Sequence, residues 1–284
     1  MNKVKIYKKI NRFIPDKLFL ILNYTMRFKR LPNIINPKRY TEKVQLRMIH
    51  DNMMNYTDFV DKYKVRNFIK DKIGEKYLID LLGVYNNANE IDFNKLPQKF
   101  VIKSNHGSGY FLVCKDKNKL DLVESRKKIN SWIYENYYNK CKEKQYKNIE
   151  RKIICEKLIE GIEEDFLDCR VYCFNGKPEF IQIDKGFADG KTRRNHYDVD
   201  WNLMDLKMKY HPIEETIKKP KNLIEILNLA KILSEQFDFV RVDFYLSDEE
   251  IYFSELTFSP AGGRQALEPD NYDFKYGKKL NVFK

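Results

Sequence analysis

The chain has 284 residues, 43% hydrophobic and 14% aromatic, which excludes a disordered or low-complexity protein and suits one large domain or two smaller ones. No apolar run approaches the roughly 20 residues of a membrane span, and the five cysteines show neither a CxxC pair nor a zinc-ligand spacing, so they read as reduced core thiols of a cytoplasmic protein. A net charge of +12 favours a polyanionic partner (nucleotide, acidic saccharide, nucleic acid or anionic lipid), although a lysine-rich bias alone would produce the same surplus.

Residues 1–30 read as helical. Lys3, Lys5, Lys8, Lys9, Arg12 and Lys17 precede the apolar run 18–22, and Arg27, Lys29 and Arg30 follow it. Such a segment either rests on an anionic leaflet or docks on the domain, and docking is the expectation. Pro32, Asn33 and Pro37 break the pattern. A second helical stretch opens at Thr41 and runs through Met54. A third spans 57 to about 72, with Phe59, Val60, Tyr63, Val65 and Phe68 inward and Gly74 ending it. Residues 77–85 and 100–103 read as buried strands, 121 to about 140 as helix and 152–158 as strand. Strands 171–174 and 180–183 flank Asn175-Gly176, a strong hairpin signal. Leu223, Ile226, Leu227, Ala230, Leu233 and Phe237 mark an amphipathic helix. The fold class is α+β, with hairpins in the second half.

Three stretches carry chemistry. Residues 100–115 place Lys103 on a strand before the small loop Asn105-His106-Gly107-Ser108-Gly109, which returns into a strand. That is neither a P-loop nor a dinucleotide fingerprint, but glycines there let backbone N–H groups approach phosphate as a flap. Residues 153–161 form an apolar strand ending in Glu156, with Lys157, Leu158 and Ile159 extended beyond it and Glu163, Glu164 and Asp168 downstream. Residues 237–263 form a hairpin in which Arg241 and Asp243 share one face and Glu255 and Thr257 share another. A three-residue loop of Asp248, Glu249 and Glu250 pairs Ser247 with Ile251 and sets Asp243 opposite Glu255. A four-residue loop would reverse every side chain. Two facing carboxylates suit Mg²⁺, whose shell is completed by water and phosphate, and Arg241 suits a phosphate or a developing oxyanion.

This order of elements resembles the ATP-grasp superfamily, most specifically at Arg241-Val-Asp243 and Glu255-Leu-Thr257-Phe-Ser259-Pro260. Within it, the segments beginning at Asn36, Asp61, Leu96 and Cys169 resemble the TupA-like branch, named for teichuronopeptide synthesis. The resemblance implies an ATP-grasp fold over 37–284, with a flap subdomain at about 96–160 and a metal-phosphate subdomain at about 161–284, behind a basic extension 1–36. It implies that Lys103 contacts the α/β phosphates of ATP and that Gly107, Ser108 and Gly109 form the flap, with His106 either on phosphate or packing the loop. Glu156, Lys157 and Leu158 would hold adenine, and Asp168 or Glu164 the ribose. Asp243, Glu255 and Thr257 would bind Mg²⁺ (or Mn²⁺), and Arg241 would stabilise developing charge. Lys185, and Arg194 within the segment 186–195 that reads as a mobile loop, would serve the γ-phosphate or the acceptor carboxylate. Thr257 departs from the superfamily's usual Asn. The implied activity is a carboxylate–amine ligase joining an amino acid to a uronic acid in surface-polysaccharide synthesis, in the cytoplasm or peripheral to the inner membrane face. Alternatives are a nucleotide-sugar glycosyltransferase using Asp198-Val199-Asp200 and a non-catalytic ATP-grasp-like binding protein.

Overall fold

The computed structural model describes residues 11, 13–159, 167–186, 191–246 and 250–283. Helices α1 (Asp16–Phe28) and α2 (Tyr40–Met48) come first, then α3 (Thr57–Val60), α4 (Val65–Lys72) and strand β1 (Leu81–Tyr85). Strands β2 (Phe100–Ser104) and β3 (Phe111–Cys114), helices α5 (Leu122–Tyr134) and α6 (Tyr137–Cys141), and β4 (Ile153–Lys157) follow. The remainder holds β5 (Leu167–Phe174), β6 (Lys177–Lys185), β7 (Arg193–Tyr197), α7 (Leu223–Ser234), β8 (Phe239–Leu246), β9 (Ile251–Thr257) and α8 (Asn271–Lys279). The chain divides into two compact units, Met54–Glu160 and Met1–Met53 with Gly161–Lys284. No helix among the described residues is long and apolar enough to cross a membrane.

In the unit Met54–Glu160, four antiparallel strands run in the order β1-β4-β2-β3. Alternation puts Phe100, Ile102, Leu112, Cys114, Ile153 and Cys155 on one face, where they pack with Ile129 and Trp132 of α5. The helix expected over 57–72 is two helices. The Asp61 side chain accepts hydrogen bonds from the backbone N–H groups of Tyr63 and Lys64 at 2.9 and 3.2 Å, a local turn that competes with the helical ladder. Tyr63, expected inward, is exposed, and Ile69 takes a core place. The helix expected over 121–140 also divides. Asp121 caps α5 through the N–H groups of Val123 and Glu124, and Asn136 caps α6 through that of Asn139.

The other unit is built on five antiparallel strands ordered β7-β6-β5-β8-β9. Asn175 and Gly176, with φ of 51° and 72°, make the tight β5–β6 turn that their sequence announces. Cys169, Val171, Ile181, Ile183 and Val242 are fully buried on one face, beneath α7, and Cys173 Sγ lies 3.8 Å from the carbonyl of Ala230. At one end the opposite face is aromatic: Tyr172, Phe174, Phe180 and Phe239 pack with Tyr40, Val44 and Tyr276 from α2 and α8. Helix α2 is held by its polar side chains. Fully buried Arg47 pairs with both carboxylate oxygens of Asp238, donates to the Asn281 carbonyl at 2.8 Å and stacks 4.1 Å from the Phe283 ring. Lys43 reaches the carbonyls of Gly277 and Leu280. Helix α1 docks by burying Phe19 and Leu20 against Met48 and Ile49.

The β8–β9 register reaches the expected pairing by another route. Leu246 pairs with Ile251, leaving four residues between them, of which 247–249 lie outside the described residues. That even connection would set Asp243 and Glu255 on opposite faces. A β-bulge between Phe253 and Glu255 adds one residue and restores the phase, so Asp243 stands opposite Glu255 and Arg241 opposite Thr257.

Candidate active site

In the unit Met54–Glu160 the polar groups gather on the sheet face away from α5. Lys103 and Glu156 sit on the adjacent strands β2 and β4, and Lys103 Nζ donates to Glu156 Oε2 at 2.7 Å. Arg66 approaches the other carboxylate oxygen at 3.3 Å and is held by the Ile79 carbonyl at 2.8 Å. Glu156 thus carries two cations at once, and Arg66 is a member of this face that the sequence alone did not single out. Lys157 is exposed, with its N–H bonded to the Asp80 carbonyl, and Leu158 is buried. Glu164 lies outside the described residues.

The loop between β2 and β3 has a fixed base and an open tip. Asn105 is tied to Asp61, Glu150 and Lys152, while Ser108 and Gly109 are exposed. Gly107 and Gly109 adopt φ of 72° and 82°, which glycine alone takes freely. A Cβ at Gly107 would also meet the Tyr137 ring at 2.6 Å, whereas Gly109 faces open space. His106 is 2% exposed. Its Nε2 lies 3.2 Å from the Glu135 carbonyl and so carries the proton, and its Nδ1 lies 2.5 Å from Ser104 Oγ. Burial pushes its pKa down to about 4. The ring is therefore neutral at pH 7 and both nitrogens are engaged within the chain, the packing alternative of the two weighed above.

In the other unit the cross-strand registers draw polar residues into rows. One runs from His196 through Gln182, Arg170 and Asp243 to Glu255. A second joins Arg194, Asp184 and Asp168. Arg170 is the hub: it pairs with Asp168, and its guanidinium reaches Asp184 at 3.2 Å and Asp243 at 3.8 Å. Arg194 grips Asp184 with two bonds of 2.6 Å, the two side chains only 3% and 1% exposed. Burial alone would raise the Asp184 pKa, but Arg194 and Arg170 more than reverse that and leave it below the usual carboxylate value. Arg194 is a β7 residue and lies on no loop; 187–190 are outside the described residues. Lys185 ends β6 against Glu215 at 2.6 Å. Neither Arg170 nor Asp184 was singled out from sequence. The available signal was their alternation with buried apolar residues, Asp168 and Arg170 on β5 and Gln182 and Asp184 on β6.

Arg241 bridges the facing carboxylates. It holds both oxygens of Asp243, one at 2.7 Å, lies 3.6 Å from Glu255 and donates to Thr257 Oγ1 at 3.1 Å. Thr257 donates in turn to Glu255 at 3.2 Å. Burial pushes the Asp243 carboxyl up to about 7, against the pull of Arg241 and Arg170 and aided by Glu255. Among the described residues no three histidine, cysteine or acidic side chains are placed to hold a metal ion together. A two-carboxylate site for a hard cation needs outside oxygens, and Asp243 and Glu255 supply the right donors around a place already favourable to positive charge.

Asp198-Val199-Asp200 is a turn. Asp198 Oδ1 accepts from the backbone N–H groups of Asp200 and Asn202 at 3.0 and 2.8 Å and Oδ2 from the Asn202 side-chain amide at 2.9 Å, so both oxygens are engaged within the turn.

The sequence matches the family described as TupA-like ATPgrasp over residues 42–281. Comparison with curated protein sequences returns no match. Among solved structures the chain is similar to the D-alanine–D-alanine ligase from Bacillus anthracis (18% identity, TM-score 0.45, covering 70% of this chain and 57% of that one). It is also similar to the D-alanine–D-alanine ligase from Helicobacter pylori (19%, 0.44, 78% and 61%) and to the ATP-grasp ligase PsnB complexed with a phosphomimetic precursor variant, Mg and ADP (12%, 0.41, 83% and 57%). The chain thus spans somewhat over half the length of these proteins. The family match, by contrast, runs from within α2 to beyond α8 and takes in both sheets, the Lys103–Glu156 face and the whole charged face around Arg170: the chain belongs to the TupA-like ATP-grasp family.

Proposed function

We propose that this chain is an ATP- and Mg²⁺-dependent carboxylate–amine ligase working through an acyl phosphate, which joins an amino acid to a uronic acid of a bacterial surface polysaccharide such as capsule or teichuronopeptide. The observation that carries this reading is the bulge-corrected register that faces Asp243 with Glu255 while Arg241 faces Thr257. Bound Mg²⁺ would supply charge neutralisation between phosphate oxygens, held by Asp243 and Glu255 with Thr257 as a weaker neighbour. Lys103 neutralises the α/β phosphates, and the exposed Ser108-Gly109 tip covers them and excludes water. Glu156, Lys157 and Leu158 line the adenine, and Asp168 takes the ribose, a role that Glu164 shares. Arg241 turns from Asp243 to the developing charge. Lys185 and Arg194 are the candidates for the γ-phosphate or the acceptor carboxylate. The amino acid and sugar classes rest on family likeness, and the +12 charge is compatible with an acidic acceptor.

The test is phosphate release from ATP across a panel of uronic acids and amino acids, for Asp243→Asn, Glu255→Gln and Asp198→Asn. Asp243→Asn leaves buried Arg241 short of a partner, so it destabilises the apo protein as well as the reaction. Glu255, whose side chain is 34% exposed and 3.6 Å from Arg241, is the cleaner position. Glu255→Gln should keep the melting temperature and lose roughly 10²-fold in turnover, while Asp198→Asn stays active once folded. A dead Asp198 variant beside an active Glu255 variant would overturn the ligase reading in favour of nucleotide-sugar chemistry.

A further inference from the structure

The face of α1 turned away from the protein is apolar. Its inward side buries Phe19, Leu20 and Tyr24, as a docked helix should. Leu18, Leu22 and Met26, four residues apart, are 47%, 44% and 55% exposed, and these three form a stripe on the opposite side. Phe13 before the helix and Leu31 and Ile35 after it are 81%, 73% and 93% exposed. Of the 17 large hydrophobic side chains exposed among the described residues, seven fall within 13–35, so the apolar surface is concentrated there and not scattered. A solvent-facing helix normally puts its polar residues on that side. Here the exposed charged side chains fall at the helix ends, Lys17 in the first turn and Arg27 and Lys29 at the last, with Arg27 bonded to the Arg264 carbonyl at 2.8 Å. In sequence, residues 1–30 carry nine basic side chains against the one acid, Asp16, and four of the nine, Lys17, Arg27, Lys29 and Arg30, belong to α1 or follow it directly.

We infer that α1 lays this stripe into the surface of an anionic membrane leaflet, leucine and methionine side chains entering the acyl boundary while the surrounding lysines and arginines meet lipid headgroups. A second copy of the chain would bury the stripe equally well but would bring together two strongly basic segments, each with nine basic residues against one acid in sequence. An anionic leaflet satisfies both features at once. The inference is independent of the reaction and places the protein where a lipid-linked acceptor would be within reach.

The experiment is co-sedimentation of the full chain with vesicles of phosphatidylcholine alone and of phosphatidylcholine with 30% phosphatidylglycerol (roughly the acidity of an anionic leaflet), at low and high salt. Size exclusion with light scattering runs in parallel. Binding to the anionic vesicles, much weaker on neutral ones and falling with salt, is expected. The triple variant Leu18→Gln, Leu22→Gln, Met26→Gln keeps every charge and all of the buried side of α1. It should bind about tenfold more weakly or worse while its melting temperature and ATP turnover with a soluble acceptor stay unchanged. Absence of binding to anionic vesicles, or equal binding by the triple variant, would overturn the inference. So would a concentration-dependent dimer that the triple variant abolishes, which would make a second copy the occupant.

Discussion

Arg194→Met separates two roles for a residue that sequence likeness offers to a ligand and the structure gives to a buried pair. In place, Arg194 makes two 2.6 Å bonds to Asp184, reaches the Met208 carbonyl and Gln265 at 3.3 Å each and lies 4.7 Å from the Tyr210 ring. Removing one partner of a buried pair costs about 3–5 kcal/mol. Asp184 would keep Arg170 at 3.2 Å and the Gln182 amide at 3.2 Å, so the loss belongs at the lower end, about 3 kcal/mol. In urea that is a midpoint lower by about 1 M or more. The pH dependence gives a second reading. Because the folded Asp184 pKa is depressed, its contribution is present above the unfolded carboxyl value, about 3.9, and is lost as pH falls through the folded value. The variant has less depression to lose, so the gap between the two proteins should narrow as pH drops through the carboxylate range. A midpoint shift under about 0.3 M together with a tenfold weaker apparent affinity for ATP would refute the buried-pair account and return Arg194 to the ligand.

Gly107→Val should destabilise the unit Met54–Glu160, because its Cβ would meet the Tyr137 ring at 2.6 Å, whereas Gly109→Val, with open space around it, should weaken ATP binding with a smaller loss in the melt. His106, neutral when folded with a pKa of about 4, contributes stability that is full above pH 6.5 and lost as pH falls toward 4. The wild type should therefore lose on the order of 2 kcal/mol more than His106→Asn between pH 7 and pH 5 in urea titrations. ATP with Mg²⁺ should raise the melting temperature by mass action, and UDP-sugars with Mn²⁺ should raise it far less; the reverse ranking would speak for the glycosyltransferase alternative. Thr257→Asn should be tolerated or tighten Mg²⁺ in the same assay.

The hairpin shows both the reach and the limit of reading this chain from its residues. Alternation placed Arg241 with Asp243 and Glu255 with Thr257 correctly, because period two is a property of any strand. The expected odd loop is not the one that forms, because a bulge at Ser254 offsets an even connection, and a bulge leaves no trace in hydrophobic pattern. The same limit explains Asp61: one carboxylate bonding two N–H groups ends a helix that side-chain periodicity would carry on to Lys72. Arg170 and Asp184 were passed over because each looks like an isolated charge in a hairpin strand. They become a network only when β5, β6 and β8 lie side by side, which no single stretch of sequence displays. Arg194 reads as part of a loop in the sequence, and only pairing with β6 makes it a strand residue.

The bonds from α2 to Asp238, Gly277, Leu280 and Asn281 set an order of events during synthesis. Met54–Glu160 is one continuous stretch whose strands and helices find their partners within it, so it can fold as soon as it leaves the ribosome. The unit around it is split: Arg47, fully buried in the finished molecule, waits some 190 residues for Asp238 and longer still for Phe283. Until then the Arg47 cation and the aromatic surface of Tyr40 have nothing to close on, although α1 already has Met48 and Ile49 to pack against. The nascent chain therefore carries one finished body and one open one until its last turn of helix emerges, and that interval is when its exposed α2 surface is open to capture by a chaperone.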